Sequence, residues 1–303
     1  EEDVFLMEQV VVTSDRNEIN RKEAPVIVNV ISPKTFEQKQ SNSLIDGLDF
    51  TSGVRTECNC QNCGFSQVRM NGLDGPYSQI LINSRPVFSG LAGVYGLELF
   101  PANMIQRVEV VRGGGSALFG GNAIAGTINV ITREPVSNTF GIGGNISSIG
   151  IGHHEGGSPA TDRSLKFNGS LVSKDNKSGM FLYGFNRDRD PFDENNDGFT
   201  EMVKMTNSSI GFNSYYKPGK LSKLNLDFYK LKESRRGGNK LEMLPHETDI
   251  TEMVDHDITG GGLSFDSFTT SGNKISLYAA AQHIDRDSYY GALQDETAYG
   301  KTY

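Results

Sequence analysis

The spacing of apolar and polar positions changes near residue 136. Before that point the apolar runs are short and are separated by turn-forming residues, whereas the later runs are longer and alternate with polar positions. Short mixed elements predict a compact α+β domain, and long alternation predicts strands with two chemically different faces. We therefore predict an N-terminal segment 1–14, a globular domain 15–135 and a strand-rich region 136–303.

The globular domain is predicted to contain one helix, one helical turn and five strands. The helix is placed at 35–48, because Leu44, Ile45 and Leu48 share one helical face. Gly113–Gly115 predict a tight turn, since glycine adopts backbone conformations that other residues avoid. The helical turn is predicted at 116–120, and the strands at 26–31, 67–71, 79–83, 105–112 and 125–131.

The region after residue 136 is predicted to form seven long strands. Their connectors alternate between brief turns and long polar loops, which is typical of an outer-membrane β-barrel and differs from the more even connectors of a soluble sandwich. The strands are predicted at 140–151, 164–173, 180–187, 208–216, 223–232, 257–268 and 274–287, and the long loops at 153–163, 188–207 and 233–256.

Composition limits the classes of function. The net charge of −8 argues against a nucleic-acid partner, and no apolar run reaches the roughly 18 residues of a membrane-spanning helix. The 35 glycines and the Phe/Tyr-rich aromatic content favour strands and turns. We find neither nucleophile–base spacing nor a metalloprotease motif, so we expect no enzyme and no organic cofactor.

Two stretches resemble parts of a known family. Residues 105–132, IQRVEVVRGGGSALFGGNAIAGTINVIT, are similar to the closing motif of the plug domain in TonB-dependent outer-membrane receptors. Residues 8–14, EQVVVTS, resemble a TonB box, and 68–72 with 79–83 resemble the paired plug strands. The resemblance covers most of residues 8–135. It implies an α+β plug domain followed by antiparallel transmembrane β-barrel strands.

The resemblance also implies a location and a mechanism. Family barrels have about 22 strands, so we expect this sequence to be the N-terminal part of a longer chain in the bacterial outer membrane. The N-terminal box would add as a strand to periplasmic TonB, which works with an inner-membrane energising complex. An ordinary edge strand of the plug is the alternative. The predicted TonB-binding residues are Glu8, Gln9, Val10, Val11, Val12 and Thr13.

The resemblance implies energy-coupled import of a scarce metal chelate, namely a ferric siderophore, haem or cobalamin. Besides TonB, the predicted partners are the chelate and outer-membrane lipid, and a surface lipoprotein is a further candidate. One alternative is uptake of copper or another soft metal through the cysteine-rich loop. Another is a surface adhesin or receptor without transport, against which the TonB-box match argues.

Three cysteines within six residues form the most unusual feature of the sequence, and this departs from the Gly, Asn and Gln that many family members have there. The segment resembles an apical plug loop that faces substrate. It could hold a Cys58–Cys63 or Cys60–Cys63 disulfide, a thiolate site for Cu(I) or Zn, or amide contacts to substrate. A lipid or other modification of the cysteines, or no role for them, is the remaining alternative. The predicted substrate-binding residues are Cys58, Asn59, Cys60, Gln61, Asn62 and Cys63.

Three further residues are candidate substrate contacts. Tyr95 lies in a glycine-rich stretch that matches another apical loop, and its amphipathic ring could contact substrate or pack beneath the loop. His153 and His154 lie in the first long loop and could touch haem or a metal, with an ordinary polar loop as the alternative.

An acidic stretch in the second long loop resembles the start of an EF-hand calcium loop. Oxygen-bearing residues fall at positions 1, 3, 5 and 9, with Gly198 at position 6 and a backbone carbonyl at 7. Position 12 is Lys204, so the usual bidentate acid is missing, and a solvated acidic loop is the alternative. The predicted calcium ligands, between the third and fourth barrel strands, are Asp193, Asn195, Asp197, Phe199 and Glu201.

Three charged residues interrupt the apolar strand predicted at 105–112. Arg107, Glu109 and Arg112 are expected either to meet partners on a polar barrel wall or to form a solvated strand face.

Overall fold

The computed structural model describes residues 10–13, 19–49, 51–60, 64–87, 97–152 and 159–303, without the side chains of residues 59, 60 and 65. The chain divides into two compact units. Unit 1 comprises residues 1–59 and 66–133, and unit 2 comprises residues 60–65 and 134–303. Among the described residues, no helix is long and apolar enough to cross a bilayer.

Unit 1 is built on a five-stranded mixed sheet with the order β3-β8-β9-β6-β7, in which only β6 and β9 run parallel. Two further strand pairs, β1-β2 and β4-β5, lie outside this sheet. In chain order the elements are β1 Val10–Val11, β2 Ile19–Asn20, β3 Val28–Ile31, α1 Pro33–Gln38, α2 Leu44–Leu48, β4 Val54–Cys60, β5 Phe65–Met70, β6 Ser78–Ile82, β7 Arg85–Pro86, β8 Ile105–Arg112, α3 Ser116–Phe119 and β9 Gly126–Thr132.

Strand β9 lies at the centre of this sheet and is covered on both faces. Ile128 and Val130 point to one face and are fully buried, as the alternation of the sequence predicts. Thr127 and Asn129 on the opposite face are also fully buried. Because both faces of β9 are buried, its polar side chains do not reach water and need hydrogen-bond partners within the protein.

The helix predicted at 35–48 is wrong in one respect, because two short helices occupy this stretch. The chain leaves α1 with Gln40 in the left-handed region at φ 52°. The Asp46 carboxylate then accepts hydrogen bonds from the Asn42 amide (2.9 Å), the Ser43 amide (3.0 Å) and the Ser43 hydroxyl (3.1 Å). These bonds satisfy amides at the start of α2 and therefore favour a new helix over a continuous one.

Unit 2 contains an eight-stranded antiparallel sheet in which every strand pairs with its neighbours in sequence. The seven predicted strands are confirmed, and β17 adds an eighth. The strands are β10 Thr139–Ile149, β11 Ala160–Val172, β12 Ser178–Arg189, β13 Lys204–Gly219, β14 Ser222–Gly238, β15 Ile250–Phe268, β16 Lys274–Ala292 and β17 Tyr299–Thr302.

The third long loop is shorter than predicted. Residues 233–238 continue β14 and residues 250–256 belong to β15, with the register running unbroken from Gly238↔Thr251 to Ser222↔Ser267. Polar side chains on both faces gave these segments the composition of a loop. Their backbones nevertheless pair, because an antiparallel ladder does not depend on apolar side chains.

One face of this sheet is apolar and exposed. Cross-strand pairing places Phe212 beside Phe228, and Leu226 beside Leu263. An exposed apolar face of this extent is unusual for a water-soluble sheet and is typical of the lipid-facing band of a transmembrane barrel. Its exposed members are Phe140, Ile142, Ile146, Leu165, Leu171, Met180, Leu182, Ile210, Tyr216, Leu226, Phe228, Leu263, Ile275 and Leu277.

The opposite face carries buried aromatic rings among polar side chains. Tyr183 and Tyr229 are both buried and lie opposite Gly211 in the neighbouring ladders. Across the next ladder, a Cβ at Gly260 would lie only 2.5 Å from Cζ of Tyr229. Glycine at this position therefore leaves the space that the tyrosine ring occupies.

We expect Ile128→Ala to destabilise unit 1 by about 2–5 kcal/mol, because it removes apolar contacts at a fully buried position. Ile124→Ala is the matched control, since Ile124 is 51% exposed and its truncation should change stability by less than about 0.5 kcal/mol. Urea-dependent hydrogen exchange of peptides from residues 105–132 measures both. Equal effects of the two substitutions would contradict this account of the core.

Candidate functional site

The N-terminal segment predicted to bind TonB is described only from Val10 to Thr13. Val10 and Val11 form β1 and pair with Asn20 and Ile19. Val10 is 37% exposed, whereas Val11 and Thr13 are buried. The segment is therefore docked on unit 1. Glu8 and Gln9 lie outside the described residues.

The cysteine-rich segment leaves unit 1 at the end of β4 and returns through β5. Cys58 lies in β4 and its side chain is exposed. Its neighbour Glu57 pairs with Arg55 (2.9 Å) and Arg69 (2.7 Å), which ties β4 to β5 beside the segment. The backbones of Asn59 and Cys60 continue β4. Gln61, Asn62 and Cys63 lie outside the described residues, so the proposed disulfide, thiolate and amide roles stay predictions.

Within unit 2, Gly64 follows this segment directly and contacts β14. The Arg235 guanidinium donates from Nη1 to the Gly64 carbonyl oxygen at 2.6 Å. Gly64 adopts φ 59°, and a Cβ there would lie 2.6 Å from Cγ2 of Val203. The cysteine-rich segment thus ends at a backbone position that favours glycine and is held by a buried arginine.

Arg235 belongs to a buried polar cluster that sequence reasoning missed. Glu233 accepts from Arg235 Nε at 2.8 Å, and its second oxygen is 3.5 Å from Nδ2 of Asn207. His256 Nδ1 lies 3.8 Å from Oε1 of Glu233. Glu233 and His256 are the first and last residues of the loop predicted at 233–256, so the sequence did not indicate that they pair across β14 and β15. The useful signal was the two-residue spacing of Glu233 and Arg235, which places both on one face of a strand.

A second buried ion pair joins β11 and β12 on the same polar face. Arg187 donates to Asp162 from Nε at 2.9 Å and from Nη2 at 2.6 Å. Arg189, two residues on, donates from Nε to the Val203 carbonyl oxygen at 3.3 Å. Breaking such a pair leaves an uncompensated charge in a poorly solvated position, so these contacts specify the local arrangement of side chains.

Charged side chains replace apolar ones beyond the apolar face, towards the long-loop ends of the strands. Lys230 and Lys232 on β14 pair with Asp257 on β15 at 3.2 and 2.8 Å. Residues of five adjacent strands, β12 to β16, line a cleft of about 480 Å³ here. The switch from apolar to charged positions marks one boundary of the apolar face.

Three acidic residues of the second long loop gather as the EF-hand-like spacing predicts. Carboxylate oxygens of Asp193, Asp197 and Glu201 lie within 4.8 Å of one another. Asp193 accepts from the amides of Asp197 (3.2 Å) and Gly198 (2.8 Å), and Gly198 adopts φ 88°. The loop lies between the third and fourth strands of the sheet. The three carboxylates are oxygen ligands of the kind that Ca²⁺ prefers.

The other two predicted calcium ligands also form hydrogen bonds within the loop. Asn195 donates from Nδ2 to Asp197 at 3.1 Å and accepts the Asp197 amide at 3.1 Å through Oδ1. The Phe199 amide donates to Asp197 at 2.9 Å, and its proposed contribution is a backbone carbonyl. The calcium site stays a prediction.

The third long loop is closed by a polar contact at its base. Asp249 accepts from Lys240 Nζ at 3.0 Å and from Asn239 Nδ2 at 2.7 Å. These hydrogen bonds, with Lys240 the larger contribution, lower the pKa of Asp249 below its usual value. Across the loop, His246 Nδ1 lies 2.9 Å from the Tyr299 hydroxyl on β17.

The remaining predicted contacts, Tyr95, His153 and His154, lie outside the described residues. Their proposed roles in substrate binding stay predictions.

Comparisons with known proteins match the first part of the chain to a family model and to a curated relative. Residues 20–127 match the family model described as TonB-dependent receptor plug domain. A curated relative, the vitamin B12 transporter BtuB of Vibrio vulnificus (strain CMCP6), is 32% identical over 151 residues, which are 50% of this chain and 24% of that protein.

Solved structures support the fold of both units. The siderophore receptor PirA of Acinetobacter baumannii matches with a TM-score of 0.64 at 18% identity, over 90% of this chain and 43% of that one. The ferric yersiniabactin uptake receptor FyuA of Yersinia pestis matches with a TM-score of 0.55 at 14% identity, over 90% and 50% of the two chains. The chain therefore spans half or less of the length of each of these relatives.

We expect calcium at about 1 mM to protect residues 190–203 from limited proteolysis, and EDTA to abolish the protection. Asp197→Asn should remove the effect, because it neutralises one of the three gathered carboxylates. Glu194→Gln is the matched control, since it neutralises an acid of the same loop outside that group. An identical cleavage pattern with calcium and with EDTA would contradict the calcium site.

Proposed function

We propose that this chain is the plug and the first barrel strands of a TonB-dependent receptor that imports a scarce metal chelate across the bacterial outer membrane. The match of residues 20–127 to the plug domain is the observation on which this proposal rests. The proposal concerns the whole receptor, of which this chain covers only a part.

The two faces of the sheet in unit 2 support transport through an outer-membrane barrel. An apolar exposed face suits contact with lipid, and a polar opposite face suits a barrel interior. The charged positions Lys230, Lys232 and Asp257 would then lie beyond the hydrocarbon, near the lipid headgroups. We therefore propose outer-membrane lipid as a partner of this surface.

The proposed substrates are a ferric siderophore, haem or cobalamin. The named relatives are a vitamin B12 transporter, a siderophore receptor and a ferric yersiniabactin uptake receptor. None of these relatives supports the alternatives of copper uptake or of an adhesin without transport.

The proposed mechanism breaks no bond in the substrate. Chelate binding would be followed by addition of Val10–Val12 as a strand to periplasmic TonB, and the inner-membrane complex would supply the energy. A surface lipoprotein as an additional partner stays a proposal without support of its own.

In the full-length receptor, we expect Val10→Pro to abolish energy-coupled uptake, because proline cannot donate a main-chain hydrogen bond to an added strand. Chelate binding to whole cells should be unchanged. Val10→Ile keeps the amide and should transport normally. Uptake of radiolabelled iron or cobalamin chelates measures the effect, and normal uptake by Val10→Pro would contradict the proposed coupling.

Simultaneous replacement of Cys58, Cys60 and Cys63 by Ser should weaken chelate binding and uptake if the segment contacts substrate. Oxidised and reduced wild-type receptor, compared in the same binding assay, separate a stiffening disulfide from a thiolate contact. Induction of the protein by iron limitation or by copper limitation tests the substrate class. Unchanged binding and uptake in the triple variant would exclude a role for the cysteines in recognition.

A further inference from the structure

We propose that Glu109 is a latch that holds the N-terminal segment Val10–Thr13 on unit 1 and so keeps it from adding as a strand to TonB. This inference rests on the proposed function, because it assigns to that function a closed state and the residue that maintains it. The latch is formed by side chains of β8 and β9, about a hundred residues away in sequence.

The carboxylate of Glu109 is fully buried and is directed at the segment. Its Oε2 atom accepts hydrogen bonds from the Val12 amide (2.9 Å), the Thr13 amide (2.9 Å) and the Thr13 hydroxyl (2.6 Å). Hydrogen bonds to an ionised acceptor are shorter and stronger than those between neutral groups. Three of them converging on one oxygen make this the main polar attachment of the segment.

The surrounding side chains keep Glu109 paired and oriented. Arg107 Nε donates to the other carboxylate oxygen, Oε1, at 2.8 Å. Asn129 Nδ2 donates to the Thr13 hydroxyl at 2.9 Å and to the Ser84 hydroxyl at 3.0 Å. The Thr13 hydroxyl thus donates to Glu109 while it accepts from Asn129, and a single hydroxyl oxygen can take both roles. The expectation that Glu109 meets a barrel wall or lies on a solvated face is wrong, since its partners lie within unit 1.

An apolar contact supports the polar one. Val11 is fully buried against Val28 and Val111, with Ile19 and Ala24 packed around them. Releasing the segment would return this side chain to water, which opposes release. The apolar contact of Val11 and the hydrogen bonds of Val12 and Thr13 therefore act on adjacent residues, and together they hold the segment on unit 1.

The closed state is incompatible with strand addition along the whole segment. Successive amides of a strand point to opposite edges. The Val12 and Thr13 amides instead both donate to one oxygen of Glu109, so these two residues are not extended and neither amide is available to a partner strand. A partner must then bind an open state, and its apparent affinity is lowered by the fraction of molecules that are open. Weakening the latch should raise that affinity without changing any residue that touches the partner.

Hydrogen exchange and TonB binding test the latch in the full-length receptor without chelate. Glu109→Gln should accelerate exchange in a peptide covering residues 8–13 by about 10- to 100-fold, because it removes the charge from three hydrogen bonds. It should also increase the affinity for a purified TonB C-terminal domain several-fold. Glu23→Gln makes the same chemical change at an exposed position of unit 1 and should match the wild type in both measurements.

Glu109→Gln could also loosen the sheet, and faster hydrogen exchange in peptides from residues 105–132 would reveal this. A second pair of variants keeps the test decisive in that case. Thr13→Val removes the hydroxyl donor and should accelerate exchange of the segment, whereas Thr13→Ser keeps the hydroxyl and should restore protection. Unchanged exchange in both Glu109→Gln and Thr13→Val would overturn the latch while leaving the proposed function intact. Accelerated exchange with no TonB binding by any variant would support the attachment but overturn both its role as a latch and the proposed coupling.

Discussion

Backbone pairing between neighbouring strands is the constraint on which unit 2 depends. Hydrocarbon offers no hydrogen-bond partner, so each amide and carbonyl of a membrane-crossing strand must find one in the next strand. Strands β11 to β15 meet this demand by pairing on both edges, strictly in chain order. The resulting register decides which residues share a face, and it aligns Phe212 with Phe228 on one side and Asn207 with Glu233 on the other. The pairing of the strands therefore determines which face of the sheet is apolar and which is polar.

Unit 1 differs from unit 2, because its central strands are covered by protein on both faces. Polar groups there can be satisfied only by other parts of the protein. Asn129 of β9 bonds Ser84 and Thr13, and Glu109 of β8 bonds Arg107 and the N-terminal segment. Buried polar residues in this unit therefore connect segments that the sheet itself does not join.

Local patterns predicted elements well, whereas contacts distant in sequence were not accessible to them. The bounds of β8, Ile105–Arg112, follow from an apolar run that ends at three glycines. The break after α1 was missed because it depends on Gln40 at positive φ and on capping by Asp46. The spacing of apolar residues indicates neither of these features. The cluster of Glu233, Arg235 and His256 was hidden because polar composition indicates a loop unless pairing with a neighbouring strand is known. Two partners of Glu109, Thr13 and Val12, lie 96 and 97 residues away, and no spacing rule reaches that far.

The position of β3 at the edge of the five-stranded sheet determines how unit 1 would bear a mechanical load. A pull on the N-terminal segment acts first on the pairing of β1 with β2 and on the hydrogen bonds to Glu109, before any bond of the central sheet. It next reaches β3, which has a single neighbour and only the four residue pairs from Val28↔Val111 to Ile31↔Val108. Loss of these pairs would leave β9 between its two neighbours. The sheet order thus places β3, which follows the N-terminal segment, at an edge of the sheet, and β9, which ends unit 1, at its centre.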